Sequence, residues 1–331
     1  MKKLDIQNAT DTPKPENLIW SRFLCLRAMD EGCLSNLVEL AIQINPQLQN
    51  PFQVFIEAMR GINKIACLPF NLTIREKVEA LRNRKFNTLI RKYENLVQQH
   101  DFETRDGWVS RIKERVLSEI NETNKQVFEK EIEVILSETA DALLSIAEPE
   151  IIDTASRELR YQTAVSLWSC LETLIKDHII DLINLKPCIM EKICDQKSLK
   201  TDLGLEKIDL AILIENNFDL RDKMGVIIFS NSNAAKIGNL KRILDLIYPT
   251  SKLSSALSGV YLYELNLQRN LIVHHRGVCD LEYLKRSSLQ LEIGQKIDVT
   301  PGLIVKLYEE ISRFATSLAD EAITLNDAPS N

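Results

Sequence analysis

The chain has 331 residues, 45% hydrophobic and 27% charged, an ordinary globular composition with enough apolar residues for one large core or two modest ones. Only 10 Gly and 4 His occur, which argues against a glycine-cradled nucleotide fold or a turn-rich all-β fold, since both need many positions at positive φ. With 41 Lys and Arg against 47 Asp and Glu the net charge is -6, and this argues against coating long stretches of duplex through phosphates; a short, focal nucleic-acid contact stays open.

In chain order, residues 10–15 read as a loose tail, and 16–30, 34–44 and 51–64 as three short helices. Pro69 and Pro149 bracket 79 residues that hold no proline and one glycine, Gly107. Proline interrupts helices, so this stretch is expected to be almost wholly helical, over 74–99 and 105–146 with a break at 100–104. His100 falls in that break and reads as a loop residue; the charged helix over 111–138 reads as a solvated face. A boundary is expected at Glu148-Pro149-Glu150, giving domains 1–150 and 151–331.

Beyond it, Ala164, Trp168, Leu171, Ile175, His178 and Leu182 recur at spacings of 4, 3, 4, 3 and 4, the seam of a helix packed inside a bundle over 157–185. His178 on that seam reads as a packed structural histidine. Further helices are expected at 209–216, 234–247 after the capping-type run Ser230-Asn231-Ser232-Asn233, 254–275 and 302–322. Residues 289–299 read as a short hairpin or an irregular loop. The fold class is therefore all-α.

The seven cysteines are odd in number, mostly set in apolar segments, and none has CxxC spacing. They read as reduced core thiols of a cytoplasmic protein. Cys188 and Cys194, the closest pair, have no nearby histidine, so no metal site and no disulfide is expected. The N-terminus lacks the apolar stretch of a signal peptide, no run approaches the ~20 apolar residues of a membrane span, and no Walker A or glycine-rich dinucleotide pattern is present, so neither a membrane nor a cofactor is expected.

Chemistry concentrates at Leu267-Gln268-Arg269-Asn270-Leu271-Ile272-Val273-His274-His275-Arg276-Gly277, where two of the four histidines lie beside two arginines at the end of an expected helix. Val260, Tyr263, Leu267 and Leu271 form its buried stripe. Asn270 and His274 are four apart and share a face, where the amide can orient the imidazole. Arg269 is five residues before His274, about 7.5 Å along the axis, a gap its long side chain largely covers. Gly277 is placed to cap the helix. A histidine there can move a proton to or from a ribose 2'-hydroxyl or a leaving oxygen, and a guanidinium can hold the phosphate and stabilise its developing charge. Glu172 could pair with Arg269 across the bundle, and Arg276, Lys285 and Arg286 could extend a phosphate-binding rim.

Arg269-Asn270-Leu271-Ile272-Val273-His274 resembles the R-x4-6-H motif of HEPN (higher eukaryotes and prokaryotes nucleotide-binding) domains. The run His275 to Lys285, the Ile293-Gly294 turn with its final helix, and Ala164 to Asp177 with its Leu-Glu pair are similar to the same group. Residues 229–246 fit more loosely. The resemblance covers about residues 155–326. It implies a C-terminal HEPN-like helical bundle beside an N-terminal helical domain, and a homodimer in which the motif helices of two chains line one cleft. It also implies a metal-independent endoribonuclease of toxin-antitoxin or phage-defence systems, with RNA as substrate and a neutralising or defence protein as partner. His274 would be the acid-base group, Arg269 the phosphate binder and Asn270 the orienting residue. His275 also satisfies the motif. The alternative in the same family is a non-catalytic module that binds a nucleotide or a protein. Residues 1–150 hold 20 basic and 23 acidic residues and 151–331 hold 21 and 24, so each half stands at -3 and any RNA contact must be local.

Overall fold

The structure, a computed structural model, describes residues 29–96, 103–123, 134–135, 138, 149–205, 210–220, 223–229 and 236–327. Every regular element among them is a helix, so the protein is all-α; β pairing among the described residues is limited to one antiparallel bridge between Val278 and Lys296. No helix among the described residues is long and apolar enough to cross a membrane. The expected tail at 10–15, most of the helix at 16–30, the break at 100–102, most of the region past 123 and the Ser/Asn run at 230–233 lie outside the described residues.

Contacts divide the chain into two compact units, one joining Ala28–Ala66 to Arg157–Asn331 and the other holding Cys67–Ser156. Residues 28–66 thus group with the C-terminal half, where the proline spacing puts them in a domain of residues 1–150. The reason is burial. Leu34, Leu37, Phe52, Phe55 and Met59 are all buried, Cys33 Sγ reaches Ser312 Oγ at 3.4 Å, and the Phe52 ring meets His178 edge-on at 5.4 Å.

In the larger unit a 3-10 turn, Glu31–Leu34, is capped by Asp30, whose Oδ1 accepts from Gly32 N at 2.8 Å, and leads into α1 (Ser35–Ala41). Asn63 on α2 (Asn50–Leu96) fixes that entry, accepting from Met29 N at 3.0 Å and donating to Met29 O at 3.2 Å. The seam of α4 (Pro149–Leu185) is buried at Ala164, Trp168, Leu171, Ile175, His178 and Leu182. Short helices α5 (Cys188–Asp195), α6 (Lys197–Asp202), α7 (Leu210–Glu215) and α8 (Met224–Phe229) follow. Gly225 of α8 lies so close to α4 that a Cβ there would sit 2.4 Å from Ile180 O. Then come α9 (Ile237–Ile247), α10 (Leu253–Leu257), α11 (Val260–His275), α12 (Leu281–Arg286) and α13 (Pro301–Asp327). α13 packs on α1, α10 and α11 and buries Ile304, Leu307, Ile311, Phe314, Leu318 and Ala322, one face at helical spacing.

Two sequence expectations change. Pro69 lies inside α2 and does not separate two helices; proline forfeits one backbone bond, to the residue four back, and that residue, Ile65, is on the solvent side at 64% exposure, where water can serve a freed carbonyl. The helix expected over 254–275 is two helices, divided where Gly259 takes an extended conformation (φ -60, ψ 149) before α11. Residues 289–299, expected as a short hairpin or an irregular loop, form the irregular loop: Gln295 N donates to Glu292 O at 3.1 Å in one tight turn, while Cys279 N donates to Gln295 O at 2.8 Å and Ile297 N to Gly277 O at 2.9 Å, so the segment folds back on the end of α11.

In the smaller unit, α3 (Arg105–Thr123) begins at Thr104, whose hydroxyl accepts from Gly107 N at 3.2 Å. It buries Ile112 and Val116. Arg111 clasps Glu103 through Nε at 3.0 Å and Nη2 at 2.6 Å, and the Arg115 guanidinium lies 5.8 Å from the Tyr93 ring centre.

Of the cysteines described, Cys67, Cys170 and Cys279 are buried and Cys33 and Cys194 half-buried, but Cys188 is exposed at the start of α5, against the expectation of a core thiol.

Candidate functional site

Leu262, Leu265, Leu267, Leu271 and Ile272 bury α11 in the larger unit, with Glu264, Asn266 and Gln268 buried among them. Of the expected stripe, Leu267 and Leu271 are buried and Val260 is 42% exposed, because it is the first residue of the helix. The buried Glu264 carboxylate was not foreseen; it accepts from Tyr283 Oη at 2.5 Å, Ser287 Oγ at 2.8 Å and Ser288 N at 3.4 Å. These bonds pin α12 and the following loop to α11, and burial with Glu264 beside it pushes the Tyr283 phenol up.

Toward its C-terminus the helix emerges from the core. Arg269 and Asn270 are half-buried, and Val273, His274, His275 and Arg276 are exposed. Basic side chains in the last turn complement the negative end of the helix dipole. Arg276, at φ 52, is the left-handed cap, and its N–H donates to Ile272 O at 3.0 Å. Gly277, expected as the cap, follows at φ 75 with its N–H on Leu271 O at 3.1 Å. It must be glycine for a second reason: a Cβ there would lie 2.6 Å from Tyr161 Oη. Tyr161 in turn donates to Ile297 O at 2.6 Å.

Glu172 on α4 and Arg269 on α11 come together. Burial pushes the Glu172 carboxyl up, and the Arg269 guanidinium, the Trp168 side chain and Lys176 pull it back. Arg269 Nη1 donates to Asn270 Oδ1 at 3.0 Å, while its Nε is buried without an acceptor. Asn270 therefore holds the guanidinium. The bond expected from Asn270 to His274 is not among those of the described residues, because the amide oxygen turns to its neighbour and the imidazole points out.

His275 Nε2 lies 3.5 Å from Asp280 Oδ2, and Asp280 Oδ1 caps α12 by accepting from Tyr283 N at 2.7 Å. The partner was visible in the sequence as an Asp five residues past a histidine, just beyond a helix end. His274 has no such partner among the described residues. Lys285 and Arg286 sit in the last turn of α12, where Arg286 pairs with Glu282 at 3.5 Å. No group of three His, Cys, Asp or Glu side chains able to hold a metal occurs among the described residues.

His178 stands apart from this cluster: Nε2 is 2.7 Å from Tyr248 Oη, and Phe52 and Tyr248 flank the ring. Comparison of the chain with protein-family models, with curated proteins and with solved structures finds no match.

Proposed function

We propose that the chain is a metal-independent endoribonuclease of the HEPN type, a cytoplasmic toxin or phage-defence effector that works as a homodimer. One observation carries the reading. At the emergent end of α11, a half-buried arginine whose Nη1 donates to Asn270 and whose charge acts on the Glu172 carboxyl lies five residues before an exposed imidazole that has no partner among the described residues. In this mechanism His274 takes the proton of a ribose 2'-hydroxyl, the O2' attacks phosphorus, the P–O5' bond breaks, and the imidazolium formed at His274 returns a proton, relayed by water, to the leaving 5'-oxygen. The products are a 2',3'-cyclic phosphate and a 5'-hydroxyl. Arg269 carries the phosphate charge, and Arg276 the neighbouring backbone.

The bond from Arg269 to Asn270 also favours a second reading, a non-catalytic module that binds a nucleotide or a protein, because a guanidinium engaged within the chain has fewer donors for a phosphate. Incubation of total RNA with the protein in EDTA separates the two. Cleavage ending in cyclic phosphate, lost in His274→Ala and Arg269→Ala, supports the nuclease. Intact RNA, or equal cleavage by all three proteins, removes it.

A further inference from the structure

Within the larger unit, one side of α2 is covered and one side is bare. Phe55 and Ile62 turn toward α4, whereas Val54 is 46% and Ile65 64% exposed, with Ala58 and Gly61 between them. Val54, Ala58, Gly61 and Ile65 are spaced 4, 3 and 4, a straight seam of the kind that faces another helix. Gly61 is the odd member. A Cβ on it would meet nothing within 4 Å, so no neighbour among the described residues requires glycine, and glycine in mid-helix costs about 1 kcal/mol relative to alanine.

From Val54 to Ile65 the seam reads large, small, small, large, an order unchanged when the helix is reversed; the exposed Leu68 and Leu72 continue it beyond Ile65. Beside Val54, α2 and α4 enclose an open, mainly apolar groove of about 320 Å³, lined by Val54, Ala58, Ile62, Val165, Ser169 and Thr173. Ile65 is not part of its wall. The surface thus holds a protruding side chain and, 11 residues away, a recess. Along the uncovered edge stand Glu57 and Lys64, both exposed and neither in an ion pair among the described residues. In an antiparallel pair of helices that edge meets itself.

We infer that this face of α2 binds a second copy of the chain, helix against helix, antiparallel about a two-fold axis. Each Ile65 enters the recess beside the partner's Val54, Ala58 lies on the partner's Gly61 so that the backbones approach closely, and Glu57 faces the partner's Lys64 twice. A two-fold interface must be self-complementary, and both the sizes and the charges of this edge are. A seam of three turns buries little, so the association is weak, with dissociation constants in the micromolar range. The surface lies outside residues 155–326, and the proposal does not depend on RNA cleavage.

Sedimentation velocity of the full chain over a hundredfold concentration range tests it without RNA. Wild type is expected to dimerise. Gly61→Leu raises the dissociation constant at least tenfold while its melting temperature holds or rises, since leucine favours the helix and meets open space. Glu57→Lys weakens the dimer to a similar extent, and Glu57→Lys with Lys64→Glu restores it. A chain that stays monomeric throughout overturns the proposal. So does a dimer that withstands all three variants and is lost in Val273→Asp, which would place the interface on α11.

Discussion

Two histidines in the same helical unit meet opposite surroundings. His178, on α4, is 0% exposed; its imidazole is pushed down to about 4 by burial, and it is neutral at pH 7. Burial also pushes the Tyr248 phenol up; its Oη lies 2.7 Å from Nε2, and Nδ1 has no hydrogen-bond partner among the described residues. His274 is exposed at the end of α11, without a partner among the described residues. The difference teaches what exposure decides: an imidazole sealed behind Phe52 and Tyr248 can only pack, while one at a helix end can exchange protons with a substrate.

The largest effect that would break this contrast is on cleavage. Replacing His274 by alanine should lower the cleavage rate by about 10²- to 10⁴-fold, the usual contribution of a positioned acid-base group. Because the side chain is exposed, stability should stay within about 0.5 kcal/mol of wild type. Loss of stability together with activity would make His274 structural, like His178.

Second in size is a pH effect that belongs to His178 alone. Its folded value of about 4 lies below the ordinary 6.5, so the unfolded chain binds the proton more readily between those values. The stabilisation is fully present above pH 6.5 and is lost as pH falls toward 4, by about 3 kcal/mol in all. Urea unfolding of wild type and His178→Leu at several pH values checks this: the wild-type curve should decline over that window more steeply than the variant's. Parallel curves would mean that His178 titrates normally in the folded protein.

The sequence made the seam of α4 legible because helical periodicity and burial are the same fact seen twice: Ala164 to Leu182 each face inward at a 3.6-residue repeat. The cluster around Arg269 was partly legible for a similar reason, since Asn270, His274 and His275 share one helix end. Contacts between distant elements were not. Glu264 lies 19 residues from Tyr283, and Tyr161 lies 116 residues from Gly277, and no local spacing signals either pair. Pro69 misled because a proline's cost depends on whether the turn behind it faces solvent, which composition does not reveal.

Third is the turn that ends α11. Gly277→Ala places a methyl group at φ 75 and against the Tyr161 ring, and should cost about 2 kcal/mol from backbone strain and displacement of the ring. Because the turn fixes where α11 stops, this variant should also lower cleavage, as His178→Leu should not. A stability loss without any change in cleavage would separate the turn from the site.

The smallest effect isolates one bond of that turn. Tyr161→Phe removes the hydroxyl that donates to Ile297 O and leaves the ring against Gly277. The ring still packs on the glycine, so the position of His274 should hold; the buried carbonyl of Ile297 loses a donor, at about 1 kcal/mol. Thermal unfolding should therefore register the change while the cleavage rate does not. A cleavage defect as large as that of Gly277→Ala would show that the hydroxyl, and with it the segment ending at Ile297, sets the position of the catalytic end of α11 more tightly than the ring does.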